Sequence, residues 1–242
     1  MSGHSKWHSI RHKKGALDAK RGKIFTKIIK ELSVAAKLGG GDPEANPRLR
    51  AAIFKAKAAN MPKDNIDRAI KKGTGELDGV NYEELTYEAY GPGGVAILID
   101  ILTDNKNRTA AEIRNILSKG GGNLGTTGSV SYLFKRKGII AFDAKKYKED
   151  DILAVALEAG VEDVTNYGDT IEVVTEPENF EAVVVAFGKA GFEHTMAEVN
   201  KVPDTTVKLD PEKTEKVMRL IETLEDNDDV QNVATNLEMP ED

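Results

Sequence analysis

Cysteine is absent from this chain, which removes disulfides, thiolate zinc sites, iron–sulfur clusters and cysteine nucleophiles from consideration and suits a reducing compartment. Long apolar runs are absent as well. The longest, Ile152 to Leu157 and Ala182 to Phe187, fall far below the ~18 residues that a membrane span requires. Residues 1–15 hold no apolar stretch of the signal-peptide kind, and Ser2 stands where myristoylation needs glycine, so a cytoplasmic protein without a lipid anchor is expected. Serine-hydrolase, zinc-protease and nucleotide-loop signatures are missing too. Nothing positive supports an enzyme, a cofactor or a small-molecule substrate, and none is expected.

What remains is a chain of ordinary globular composition, 40% hydrophobic and 31% charged over 242 residues, long enough for two domains or three small ones. Its net charge of −6 conceals a division. Residues 1–72 hold 18 Lys/Arg and 6 Asp/Glu, whereas residues 73–242 hold 16 and 34, giving +12 and −18. A basic segment fused to an acidic body suggests a surface that faces a polyanion.

The basic segment reads as helical. Asp18 to Leu38 forms a first helix closed by Gly39-Gly40-Gly41, Asn46-Pro47 opens a second as N-cap and N1, and Met61-Pro62 opens a third that stops at Gly73. On the first helix, Ile24, Phe25, Ile28, Ile29, Leu32, Ala35 and Ala36 share one side. Lys20, Lys23, Lys27, Lys30 and Lys37 share the other, which is expected to stay solvated. Residues 1–15 read as an extended basic arm. Beyond residue 78, Leu85–Tyr90 and Val95–Leu102 form a hairpin across Gly91-Pro92-Gly93-Gly94, followed by a helix over 107–119 and a strand at Ser129–Phe134. From Ile139 the order strand, helix, strand, strand, helix, strand is the ferredoxin-like βαββαβ pattern. Thr206–Leu209 and Val230–Leu237 read as strands around a helix capped by Asp210. That tail is too small to bury a core alone. The fold class expected is α+β: an all-helical N-terminal domain (1–78), a mixed α/β domain (79–137 plus 204–242), and a ferredoxin-like domain (138–203) inserted in the latter.

Candidate sites are few. His4, His8 and His12 recur at i, i+4, i+8, but no carboxylate precedes Asp18, and Lys6, Arg11, Lys13 and Lys14 repel a divalent ion, so no metal site is expected. Trp7, the only tryptophan, serves either as a stacking platform for a base or as an anchor for the arm. Gly120-Gly121-Gly122-Asn123-Leu124-Gly125 satisfies a dinucleotide-type glycine spacing but follows a helix instead of preceding one, so it reads as a helix stop and turn. Asp226, Asp228 and Asp229 read as a solvated acidic turn. The residues assigned to nucleic-acid binding are Lys6, Trp7, Arg11, Lys13, Lys14, Lys20, Arg21, Lys23, Lys27, Lys30, Arg48 and Arg50.

Several strings carry a resemblance: Gly3-His4-Ser5-Lys6-Trp7, Asp18-Ala19-Lys20-Arg21-Gly22-Lys23, Asn46-Pro47-Arg48-Leu49-Arg50, Asn60-Met61-Pro62-Lys63-Asp64-Asn65-Ile66, Tyr87 to Gly94 and Asp104-Asn105-Lys106-Asn107-Arg108-Thr109. In that order the chain resembles the YebC family over nearly its whole length. The resemblance implies a three-domain protein of gene expression, either a ribosome-associated translation factor that relieves stalling at proline-rich stretches or a DNA-binding transcriptional regulator, and it carries over no catalytic residues. The partner expected is nucleic acid, ribosomal RNA or DNA, with the ribosome favoured over a promoter; a protein-interaction adaptor is the further alternative.

Overall fold

The structure, a computed structural model, describes residues 19–238, with side chains from residue 22 onward. The basic arm and its histidines lie outside the described residues. Three helices come first: α1 (Ala19–Gly39), α2 (Pro47–Ala58) and α3 (Lys63–Thr74). Leu32, Ala35 and Ala36 of α1, Leu49, Ala52 and Ala56 of α2, and Ile66 and Ala69 of α3 form one buried cluster with Met61. Most of these side chains are alanines, so the helices approach closely. Gly73 is the tightest point, since a Cβ there would lie 2.2 Å from the Ser33 carbonyl oxygen; α3 does not stop there but ends at Gly75, whose φ is 82°. Asn46 fastens the bundle from within. Its Oδ1 accepts from the Leu49 amide at 3.1 Å as the N-cap of α2, while its Nδ2 donates to the carbonyls of Ala35 and Gly40 at 2.8 Å, so one buried side chain begins one helix and satisfies the end of another.

The first sheet has the order β3-β1-β2-β8, built from β1 (Glu83–Tyr90), β2 (Ala96–Thr103), β3 (Asn123–Leu124) and β8 (Val230–Thr235). β1 and β2 pair antiparallel from Glu83↔Thr103 to Tyr90↔Ala96. Ile97, Leu98, Ile99, Ile101 and Leu102 are all buried, because a central strand covered on both faces reads as an unbroken apolar run. Helices α4 (Lys106–Lys119) and α7 (Pro211–Glu225) belong to this unit and pack against each other. Asn105 and Asp210 cap them by accepting from the amides of Arg108 and Lys213.

The second sheet has the order β5-β6-β4-β7, built from β4 (Phe134–Asp143), β5 (Asp163–Asn166), β6 (Thr170–Thr175) and β7 (Met196–Pro203), with α5 (Glu149–Ala159) and α6 (Phe180–Lys189). Every pairing in it is antiparallel, which is the ferredoxin-like arrangement read from the sequence. Its core gathers Ile140, Phe142, Ile152, Ile171, Val173, Val183 and Phe187.

In chain order the second sheet lies between β3 and β8 of the first. By contacts the described chain forms two units, one of residues 19–130 with 210–233 and one of 131–209 with 234–238. Three local expectations fail. No strand forms at 129–133; residues 131–133 make a 3-10 turn, and β4 starts at Phe134 because it pairs with β7 as far as Pro203. Thr206–Leu209 contributes only a bridge from Val207 to Leu237. The short β3 emerges inside the glycine segment, pairing Ala89↔Leu124 and Tyr90↔Asn123.

Substituting Gly73→Ala is expected to lower the unfolding free energy by about 1–3 kcal/mol through overpacking against Ser33. Gly22→Ala, whose Cβ meets nothing within 4 Å, is expected to raise it by about 0.5–1 kcal/mol. Urea denaturation followed by circular dichroism measures both, and equal effects at the two positions would contradict the close approach at Gly73.

Candidate nucleic-acid interface

Of the residues assigned to nucleic-acid binding, Lys6, Trp7, Arg11, Lys13 and Lys14 lie outside the described residues, as do the side chains of Lys20 and Arg21, which sit in the first turn of α1. The other five are described, and each has a partner within the protein.

Lys23, Lys27 and Lys30, spaced on one face of α1, meet the chain where α7 ends. The ammonium of Lys23 donates to the Asp226 carbonyl at 3.0 Å and that of Lys27 to the Glu225 carbonyl at 2.5 Å. Cations are favoured at a helix C-terminus, where carbonyls lack amide partners. Lys30 goes deeper, donating to the Asp228 carbonyl at 2.9 Å and to Asp229 Oδ1 at 2.6 Å, with only 9% and 5% of the two side chains exposed. The expectation of a solvated lysine face is therefore corrected at Lys30, and that of a solvated acidic turn at Asp229. Periodicity marked the side of α1 correctly as polar, but that side packs against a folded turn.

Asp229 gathers further donors. Its Oδ2 accepts from Thr109 Oγ1 at 2.6 Å and Arg108 Nη2 at 2.8 Å, with Thr103 Oγ1 at 3.2 Å. Arg108 also reaches Asp104 at 2.8 Å. Asp104-Asn105-Lys106-Asn107-Arg108-Thr109, distinctive as a string, thus becomes the start of α4 and a cradle for one buried carboxylate. Burial pushes the Asp229 carboxyl upward, but the hydrogen bonds from Lys30, Thr109 and Arg108 outweigh it and hold the group down at about 2. Asp104 and Asp229 also raise the nearby Tyr82 phenol, after burial itself.

Arg48 makes a bidentate pair with Glu31 at 2.7 and 3.0 Å and reaches Glu84 at 2.5 Å, which raises its already high pKa. Arg50 donates to the Pro43 carbonyl at 2.7 Å.

Further exposed cations are ones the sequence reading passed over. Lys55, Lys57, Lys63, Arg68, Lys71 and Lys72 are all exposed on α2 and α3. Among the described residues, Lys57, Lys63, Arg68, Lys71 and Lys72 make no ion pair. Residues 47–74 carry eight Lys/Arg against two carboxylates, Asp64 and Asp67. The signal was present: placing Leu49, Ala52, Ala56, Ile66 and Ala69 inward leaves these cations outward. Such faces can neutralise phosphates without reading bases.

The glycine segment is engaged elsewhere. A Cβ at Gly122 would sit 2.5 Å from the Tyr90 carbonyl oxygen, and the Gly122 and Gly125 amides donate to the carbonyls of Leu117 and Glu88 at 2.8 Å each. The Glu88 carboxylate accepts from the Gly128 and Val130 amides at 2.6 and 2.7 Å. Amides turned inward in this way form no phosphate cradle. Among the described residues, no group of three His, Asp or Glu side chains is placed to hold a metal ion, and no helix is long and apolar enough to cross a membrane.

Lys30→Met, which leaves a buried carboxylate short of its counter-ion, is expected to destabilise the protein by about 3–5 kcal/mol. Lys23→Met, at an exposed pair, should cost about 1 kcal/mol or less. Because Asp229 titrates near 2 when folded and near 3.9 when unfolded, its contribution is complete above the unfolded value and is lost as the pH falls towards 2. Denaturation midpoints between about pH 5 and 2 should therefore fall more steeply for the native chain than for Asp229→Asn; parallel curves would contradict the assignment.

Comparison with known proteins places these features. Residues 5–76 match the TACO1/YebC protein N-terminal domain, and residues 82–237 match the TACO1/YebC second and third domain. A probable transcriptional regulatory protein of Treponema denticola is 61% identical, the match covering 100% of this chain and 98% of that one. One from Desulfatibacillum aliphaticivorans is 58% identical with the same coverage. The crystal structure of a conserved hypothetical protein from Aquifex aeolicus superposes with a TM-score of 0.86 at 49% identity, covering 93% of each chain. With both parts matched, and with relatives this similar over their full length, the chain belongs to the TACO1/YebC family.

Proposed function

We propose that this protein is a cytoplasmic regulator of gene expression that acts by binding nucleic acid through its basic helical region, taken as residues 1–78. The observation that carries the reading is the concentration of exposed Lys and Arg on α2 and α3, in a chain whose remainder is acidic. Phosphate contacts and counter-ion release supply most of the affinity. The acidic sheets are repelled by a polyanion and serve to position the basic region or to contact proteins.

The finer reading is a translation factor at the ribosome that relieves stalling at proline-rich stretches. The exposed faces of α2 and α3 offer lysine, arginine and small apolar side chains, which suit irregular RNA better than the edge-reading chemistry a promoter demands. A DNA-binding transcriptional regulator is the second reading, favoured by the relatives' description as probable transcriptional regulatory proteins.

Binding measured by fluorescence anisotropy is expected to weaken with salt at a slope of roughly −4 to −7 in log K against log salt, as for about five to eight neutralised phosphates. Lys57→Glu with Arg68→Glu and Lys71→Glu should weaken binding more than about ten-fold with unchanged helical circular dichroism. A flat salt response would overturn nucleic-acid binding. Between the two finer readings, ribosome profiling beside nascent-transcript sequencing decides. Deletion is expected to lengthen pauses at proline codons first, and altered transcription at occupied promoters with unchanged pausing would favour the second reading.

A further inference from the structure

Where the helical region runs into the first sheet there is a pocket of about 170 Å³. Three pieces of chain line it: Lys37 with its neighbours on α1, Lys72 near the end of α3, and residues 79–82 leading into β1. Two lysines and no carboxylate stand among the lining residues. The segment 79–82 sets both lysines in place. Asn81 Oδ1 accepts from the Lys37 ammonium. A Cβ at Gly79 would lie only 3.1 Å from Lys72 Cβ, so the missing side chain lets the backbone close on the stem of that lysine.

The donors here are not used up within the protein. Among the described residues, the Lys72 ammonium makes no hydrogen bond or ion pair, and the backbone amides of Gly79, Val80 and Asn81 donate to nothing. The Lys37 ammonium gives one of its three protons to Asn81 and keeps two. Positive charge and unused N–H groups around a recess suit an anion rich in acceptor oxygens. Size narrows the class. The pocket of about 170 Å³ is several times the roughly 30 Å³ that a water occupies, yet smaller than the ~300 Å³ at which clefts begin to hold a drug-sized molecule. It has room for a phosphate group and not for a whole nucleotide. Charge narrows it again. A phosphate monoester carries about −1.5 to −2 at neutral pH, whereas a phosphate within a strand carries one negative charge, and the former is the better match to two ammonium groups. A monoester also needs only one way in.

We propose that the pocket between α1, α3 and residues 79–82 is a phosphate site, in which Lys37 and Lys72 hold a phosphate dianion. That dianion has two sources, the terminal phosphate of a nucleic-acid strand and inorganic phosphate, and both present the same oxygens to the two ammonium groups. The site differs in kind from the open cations of α2 and α3. Those neutralise a strand wherever its phosphates pass, whereas this pocket takes one phosphate by its size and charge. It does not depend on the nucleic-acid reading above, because inorganic phosphate alone can fill it.

The test titrates the whole chain with inorganic phosphate by calorimetry, chloride keeping the ionic strength constant. One saturable site per chain is expected. Lys72→Met and Lys37→Met should each weaken it about ten-fold, while Lys57→Met, which removes an exposed cation outside the pocket, should leave it unchanged. Native circular dichroism in Lys72→Met, whose side chain is exposed, separates lost binding from lost fold. A single strand of about 12 nucleotides is then compared with and without a 5′-phosphate. Tighter binding of the phosphorylated strand, with the difference abolished by Lys72→Met, would assign the pocket to a nucleic-acid end. Equal binding of the two strands beside a saturable site for inorganic phosphate would assign it to the free ion. Phosphate binding that Lys72→Met leaves unchanged, or that Lys57→Met weakens equally, would overturn the pocket. So would the absence of both a saturable phosphate site and any advantage from the 5′-phosphate. Either result leaves nucleic-acid binding by α2 and α3 to stand or fall on its own salt dependence.

Discussion

The buried pair between Lys30 and Asp229 is the constraint on which this unit of the structure turns. Withdrawing two opposite charges from water costs several kcal/mol for each ion, and only a full set of partners makes the arrangement tolerable. Here the set is nearly complete: the ammonium has a carboxylate and a carbonyl, and the carboxylate has the ammonium, a guanidinium and a hydroxyl. Those partners come from α1, from the start of α4 and from the turn after α7. One ion pair therefore registers three elements that hydrophobic packing alone would leave freer to slide, since apolar contacts have little directionality.

This pair also alters the meaning of the charge count. A formal +12 on residues 1–72 suggests a uniformly sticky basic domain, but part of that charge closes the C-terminus of α7, neutralises Asp229 or holds Glu31 and Glu84. The charge that remains outward is displaced onto α2 and α3. A long-range field is set by the sum of charges, whereas a contact surface is set by those that reach the solvent, and the two need not involve the same residues.

The fold was legible wherever local signals agreed with tertiary demand. Asn46-Pro47 and Asp210-Pro211 marked helix starts because capping is local, and the ferredoxin-like order was visible because each of its elements carries its own period. The two-residue β3 was not legible, since its pairing with Ala89 and Tyr90 is a long-range event. Lys135–Lys137 hid as strand because all three residues are charged and they pair with β7 alone. For the candidate site, periodicity marked the polar side of α1 but misjudged Lys30. A lysine on a polar face looks identical in sequence whether its ammonium ends in water or against a carboxylate 199 residues away. The outward lysines of α2 and α3 were readable by the same helical period, had the inward alanines been placed first.

That separation bears on how the chain is made. Asp229 leaves the ribosome 199 residues after Lys30, and β8, which completes the first sheet beside β2, follows it. The segment carrying the second sheet is contiguous and can condense while the first sheet still lacks an edge, since domains fold as units during synthesis. Throughout that interval α1 carries its lysines without their counter-charges. The nascent protein is thus more cationic on this helix than the finished one, and maturation consists in part of withdrawing positive charge from solvent as the last strand arrives.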